Sequence, residues 1–268
     1  MHPLVPEIPE LLDILPEGAA ASAATLDAAA DAQASGVRFA GIPLPDGLGC
    51  AVPKRKLQFA AGRYCARVAI SNLGLDAGTP LARDRDNVPI WPAGLVGSIS
   101  HTDDVAWAAA ARGPRVVGLG IDVESLEAAS RAGRLEQLIC CPDELELGCT
   151  TGLGRGEFLT LVFSFKESLF KCVFPLARRF FGYRDAALTR IDLRSRVIEA
   201  RLATTVSDAF PDGLAFRGGF VLSRTHVFTC VHLTLDGHEL RAGGDAYPSR
   251  GGKGIAGGDP LCRNGRYA

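Results

Sequence analysis

The sequence lacks the features that mark the commonest special classes of protein. Neither charge is in excess: 29 Lys and Arg stand against 30 Asp and Glu, a net charge of −1. A nucleic-acid binder normally shows a basic balance or stripe, so nucleic acid is not an expected partner. No Cys-x-x-Cys pair occurs among the eight cysteines, which removes the usual spacing of a zinc ribbon. Several cysteines sit in apolar segments, Cys65 beside Tyr64 and Cys172 beside Val173. There a free thiol packs as a small hydrophobe, and a reducing, cytoplasmic setting is expected. No apolar run is long enough for a membrane span: the alanine-rich stretch 19–30 is too short and is broken by Asp27. The first 18 residues carry acids and four prolines where a secretion signal would carry a basic start and an apolar core. A membrane is therefore not expected as a partner either.

What is present is ordinary globular material, 268 residues of which 47% are hydrophobic, enough to bury a large core. Residues 1–36 read as a Pro- and Ala-rich lead-in with one short helix around 19–34. Residues 241–268 hold many glycines and almost no apolar periodicity, the composition of a disordered tail. Between them, 54–73 has the apolar spacing of a helix, with Pro53 at its start and Gly74 at its end. Strands are expected at 95–100, 105–111 and 116–124. A second helix is expected at 157–174, stopped by Pro175, followed by strands at 187–193, 197–202, 219–223 and 227–235. A helix and a set of strands thus occur twice. The expected fold is α+β, with two pseudo-symmetric lobes, 37–130 and 131–240, each a helix packed on a mainly antiparallel sheet.

Four short stretches could carry chemistry. In Gly118-Leu119-Gly120-Ile121-Asp122-Val123-Glu124, strand alternation puts both carboxylates on one face, a hard-oxygen pair of the kind Mg²⁺ prefers beside phosphate oxygens. A solvated edge strand would look the same. In the second helix Glu167 and Lys171 are four apart and share a face; a surface ion pair worth about 0.3–0.5 kcal/mol is the ordinary reading of that spacing. The run Trp91-Pro92-Ala93-Gly94-Leu95-Val96-Gly97-Ser98-Ile99-Ser100-His101 ends a strand of small residues in a histidine at a turn, which could equally be solvated. On the first helix Arg55 and Arg63, eight residues apart, point within roughly 80° of each other and could grip a phosphate, or merely form a solvated face.

Singly these stretches say little, but their order is informative. Ala51-Val52-Pro53-Lys54-Arg55-Lys56 with Gly62-Arg63, then Trp91-Pro92-x-Gly94 through Ser100-His101, then Gly120-Ile121-Asp122-x-Glu124, then Phe163-Ser164-x-Lys166-Glu167-Ser168 with Lys171 and Pro175, resemble the 4′-phosphopantetheinyl transferase superfamily. The likeness is to its two-lobed branch of surfactin-type transferases and the enterobactin synthetase D component, and it covers about residues 50–190. It implies a monomer that binds coenzyme A in the cleft between the lobes and uses Mg²⁺. It implies transfer of the phosphopantetheine arm to a serine of acyl or peptidyl carrier protein domains in polyketide or nonribosomal peptide synthesis. By the same resemblance Asp122, Glu124 and Glu167 hold the metal, Glu167 is the general base, and Lys171 meets the phosphates. Lys166 is assigned to the pantetheine phosphate side. Arg55, Arg63 and His101, with Arg83 as a fourth, clasp the 3′-phosphoadenosine end.

Three departures stand out: Ser100 stands where Thr is common before the histidine, which keeps the hydroxyl; Asp103 and Asp104 follow His101 where small or apolar residues are usual; and 131–151 fits the pattern poorly. Two other readings use the same residues, a Mg²⁺-dependent hydrolase of nucleotide pyrophosphates and a module that binds coenzyme A or a carrier without turnover.

Overall fold

In a computed structural model of the chain, the structure describes residues 10–26, 42–76, 78, 81–126, 136–236 and 239–240. In chain order these form α1 (Glu10–Asp13), β1 (Ala20–Thr25), α2 (Pro53–Asn72), β2 (Leu95–His101), β3 (Val105–Arg112), β4 (Val116–Ser125), α3 (Pro142–Thr151), α4 (Arg155–Ala177), β5 (Ala186–Asp192), β6 (Val197–Leu202), β7 (Ala215–Leu222), β8 (His226–Asp236) and β9 (Glu239–Leu240). The strands make two antiparallel sheets. The smaller runs β1-β3-β2; the larger runs β4-β8-β7-β6-β5, with β9 added on β8.

Three apolar clusters show how the layers stack. Ala61, Cys65, Ala66 and Ile70 of α2 pack on Ala106, Ala108 and Ala110 of β3. The opposite face of β3, with Val105, Trp107 and Ala109, meets Leu119, Ile121 and Val123 of β4 and Phe228 and Cys230 of β8. Trp107 and Phe228 touch edge to face, their ring centroids 5.4 Å apart. Phe158, Leu161, Phe165 and Leu169 of α4 cover the outer face of the larger sheet with Ile198, Phe220 and Val231. The order is helix, sheet, sheet, helix, so β3 is buried on both faces, and its uninterrupted run of small apolar residues follows from that. The α+β expectation of two antiparallel sheets, each covered by a helix, holds.

Several local expectations differ. The stretch around 19–34 was expected to be helical, but Ala20–Thr25 is a strand, pairing Ala23 with Trp107 and Ala24 with Ala106. Helix propensity yields here to a partner strand whose small residues it matches. The rest of that expected helix, like the tail 241–268, lies outside the described residues. α4 does not stop at Pro175 but runs to Ala177 and ends at Arg178 in the left-handed region, φ 51°. A proline in the last turn forfeits one backbone bond, which a helix packed along its length tolerates.

α3 was not expected at all. Pro142 opens it, Glu144 accepts the Cys141 N–H at 2.8 Å, and Gly152 closes it at φ 77°. β4 was grouped with the first lobe, yet its ladder runs to β8 in the larger sheet. Among the described residues no helix is long and apolar enough to cross a membrane.

Candidate active site

The site lies along the seam where β2, an edge of the smaller sheet, meets β4, an edge of the larger. No backbone ladder joins the two strands. Instead Ser98 Oγ accepts the N–H of Ile121 at 3.1 Å and Ser100 Oγ accepts that of Val123 at 3.4 Å. Alternation along β2 then decides where its last two side chains go. Ser100 turns to β4, and His101 turns the other way, to α2, where Arg55 donates to its Nε2 at 3.0 Å. A guanidinium can only donate, so Nε2 accepts and the ring proton of His101 sits on Nδ1.

On β4, Gly118, Gly120, Asp122 and Glu124 share the face toward α4. A methyl group at Gly120 would lie 1.9 Å from the Ser168 carbonyl oxygen, so the helix backbone comes closest to the strand there. That approach lets Lys171 reach across: its Nζ donates to Asp122 Oδ1 at 2.8 Å and to Ser100 Oγ at 3.0 Å. Ser100 in turn donates to Asp122 Oδ1 at 2.7 Å. Asp122 is 3% exposed, and its Oδ2 is buried with no hydrogen-bond partner. Glu124 is half-buried. One helical turn before Lys171, Glu167 accepts a 2.5 Å hydrogen bond from the Tyr183 hydroxyl.

The structure therefore brings Asp122 and Lys171 together and sets Glu167 on the same helical stripe. Among the described residues no three His, Cys, Asp or Glu side chains are gathered into a metal centre. Of the three expected acids, Asp122 is engaged through Oδ1 by Lys171 and Ser100, and Glu167 by Tyr183. The Lys171 ammonium lies against the buried Asp122 carboxylate and offsets its charge.

The basic residues also gather. Arg55 and Arg63 both feel the charge of Arg83. Burial, and then Arg83, lowers the pKa of Arg55 and brings that of Arg63 to about 10. Arg63 is only 1% exposed, donates through Nε to the Leu81 carbonyl and lies over the Phe59 ring; its Nη2 has no partner.

Lys166 is placed elsewhere. It faces α3, with Nζ 2.7 Å from the Ile139 carbonyl and 2.8 Å from Glu144, both side chains buried. Glu144 also accepts from the Leu188 N–H. A phosphate contact would require breaking this pair, so the structure does not support Lys166 at the phosphate side. The two unusual acids are likewise occupied: Asp103 pairs with Lys54, and Asp104 with His226 at the start of β8.

Sequence reasoning missed Tyr183, Ser98 and the hydroxyl role of Ser100. Ser100 could have been found from strand parity, which opposes it to His101. Tyr183 lies beyond the end of α4, and only tertiary packing brings it to Glu167.

Two antiparallel sheets sandwiched by helices, with acids and a lysine at the seam and arginines about α2, define an α+β protein. Residues 45–111 match the 4′-phosphopantetheinyl transferase N-terminal domain, and 118–215 match the 4′-phosphopantetheinyl transferase superfamily. The chain belongs to that superfamily, in its two-domain branch. It is 38% identical to 4′-phosphopantetheinyl transferase Svp of Streptomyces mobaraensis over 154 residues, 57% of this chain and 61% of that one. To 4′-phosphopantetheinyl transferase PptT of Mycobacterium tuberculosis it is 31% identical over 150 residues, 55% and 65% of the two chains. To enterobactin synthase component D of Escherichia coli K12 it is 38% identical over 118 residues, 44% and 54%. The match thus spans less than two thirds of each relative.

Proposed function

We propose that this chain transfers the 4′-phosphopantetheine arm of coenzyme A to a serine of a carrier protein. The observation that carries the reading is the buried cluster of Asp122, Ser100 and Lys171 beside the Arg55–His101 pair, in a member of this superfamily. The unpartnered Oδ2 of Asp122 is a hard oxygen suited to Mg²⁺, with Glu124 and Glu167 as the further carboxylates that would hold it. Bound there, Mg²⁺ would neutralise charge on the diphosphate as it transfers.

The chain's own residues do the rest. Arg55, His101, Arg83 and the free Nη2 of Arg63 form the binding group for the 3′-phosphoadenosine end. That remote binding fixes the reacting end in place. Lys171 adds positive charge where the leaving phosphate develops negative charge. The carrier serine oxygen forms a bond to the β-phosphorus. The bond from that phosphorus to the bridging oxygen breaks, and adenosine 3′,5′-bisphosphate leaves. Glu167 takes the serine proton, with Tyr183 holding its other oxygen. The relative named as a component of enterobactin synthase supports carriers of a biosynthetic synthase as the protein substrate.

The test is incubation with coenzyme A, Mg²⁺ and a panel of apo-carrier proteins, read by intact mass. A mass gain of one phosphopantetheine on a carrier is expected. Cleavage of coenzyme A with no gain on any carrier would overturn the transferase reading in favour of hydrolysis.

A further inference from the structure

Asp122 sits on the edge strand of the larger sheet, and an edge strand has no ladder to hold its outer side in register. On that outer side the N–H groups of Ile121 and Val123 flank Asp122, and both are buried. Buried backbone donors need acceptors. They receive serine hydroxyls from β2 in place of carbonyls.

The two serines are not equivalent. Ser98 binds the Ile121 N–H. Ser100 accepts from Val123 N–H and from Lys171 Nζ, and its own hydroxyl donates to Asp122 Oδ1. One hydroxyl therefore ties together strand, helix and carboxylate. Because its proton and the Lys171 ammonium both go to Oδ1, the partnerless oxygen is Oδ2.

We infer that Ser100 is a positioning residue of this site, whose hydroxyl fixes the Asp122 carboxylate so that Oδ2 is the oxygen presented for metal binding. The inference rests on the transferase reading for the identity of the metal, Mg²⁺. It adds that a β2 side chain, one residue from the His101 that meets Arg55, sets the orientation of a β4 ligand. Partners that orient metal-ligating groups typically change metal affinity about 10–100-fold when removed.

Ser98 provides a matched comparison, since Ser98→Ala and Ser100→Ala each leave one β4 N–H without its acceptor, and only the second touches Asp122. The experiment is Mn²⁺ titration of the full chain by electron paramagnetic resonance, with saturating adenosine 3′,5′-bisphosphate. Ser100→Ala is expected to weaken Mn²⁺ binding about 10–100-fold. Ser100→Thr, which keeps the hydroxyl, should restore it to within a few-fold of wild type. Ser98→Ala should lower thermal stability while leaving Mn²⁺ affinity unchanged.

If Ser100→Ala does not fold, Ser100→Cys keeps the volume with a weaker donor, and an intermediate loss of affinity is expected. Unchanged affinity in the folded Ser100 variant, or an equal loss in Ser98→Ala, overturns the inference while the transferase reading stands. A wild-type chain that binds no Mn²⁺ overturns both.

Discussion

Lys166 and Lys171 stand five residues apart on α4, and their surroundings could hardly differ more. Lys166 is directed into the protein, where Glu144 and the Ile139 carbonyl take up its ammonium and all three groups are shut away from water. Lys171 is directed to the seam, its side chain 14% exposed, and shares Asp122 with Ser100. A buried ion pair of the first kind holds α3 and the start of β5 against α4 through Glu144, Cys141 and Leu188. A mostly covered ammonium at the seam can exchange its partner for a phosphate. Family resemblance alone put both lysines at the phosphates, and the geometry separates them.

The sharpest way to break that distinction is at Lys171. Lys171→Met should lower the transfer rate about 10²–10³-fold, as loss of a single charge-stabilising donor does elsewhere. Steady-state kinetics with a responsive carrier checks it. Lys166→Met should act on folding. Leaving Glu144 buried without its cation should cost about 3–5 kcal/mol in urea unfolding, with the KM for coenzyme A unchanged in the folded protein. The double variant Lys166→Met, Glu144→Leu should recover much of that loss, since an apolar pair removes both buried charges. A large rise in KM with stability intact would instead place Lys166 on the substrate. Tyr183→Phe tests the acid one turn from Lys171. It should reduce kcat on the order of tenfold without moving KM, because Glu167 loses the donor that orients it.

The smallest effect lies at the tie between the β2–β3 turn and β8. Partial burial would raise the pKa of Asp104, but hydrogen bonds from Thr102 and His226 outweigh it and hold the group below its usual 3.8. A depressed carboxylate contributes stability when ionised. Its contribution is therefore present above the ordinary carboxylate range and disappears as pH falls through the lower folded value. Asp104 is exposed enough that solvent screens the pair, so Asp104→Asn should cost under about 1 kcal/mol near neutral pH. The gap from wild type should close in strong acid, measured by urea unfolding across pH.

Much of this molecule is readable from its residues, for identifiable reasons. α2 and the β2–β4 run carry clear periodicity and sharp punctuation, and their bounds fall within a residue or two of expectation. Strand parity alone puts Asp122 and Glu124 on one face. Three things were not legible. Ala20–Thr25 has helical composition and is made a strand by its partner. The ladder from β4 to β8 joins residues more than a hundred apart, a pairing no local pattern records. Lys166 and Glu144 are 22 residues apart, and α3, which presents Glu144, has a start signal in Cys141-Pro142-Asp143-Glu144 that is easily read as a loop.

The strand β8 has a practical implication for anyone trimming this protein. The two recognisable family segments end at residue 215, before β8 begins, and start at residue 45, after β1. A truncated product built to those borders would contain the acids, the lysine and the arginines, yet strip Asp122's own strand of the one ladder neighbour it has among the described residues. It would also remove Ile14, which packs against Gly219 of the larger sheet. Such a fragment should carry the family's signature and yet fail to fold: in this chain the signature and the scaffold that supports it do not share the same boundaries.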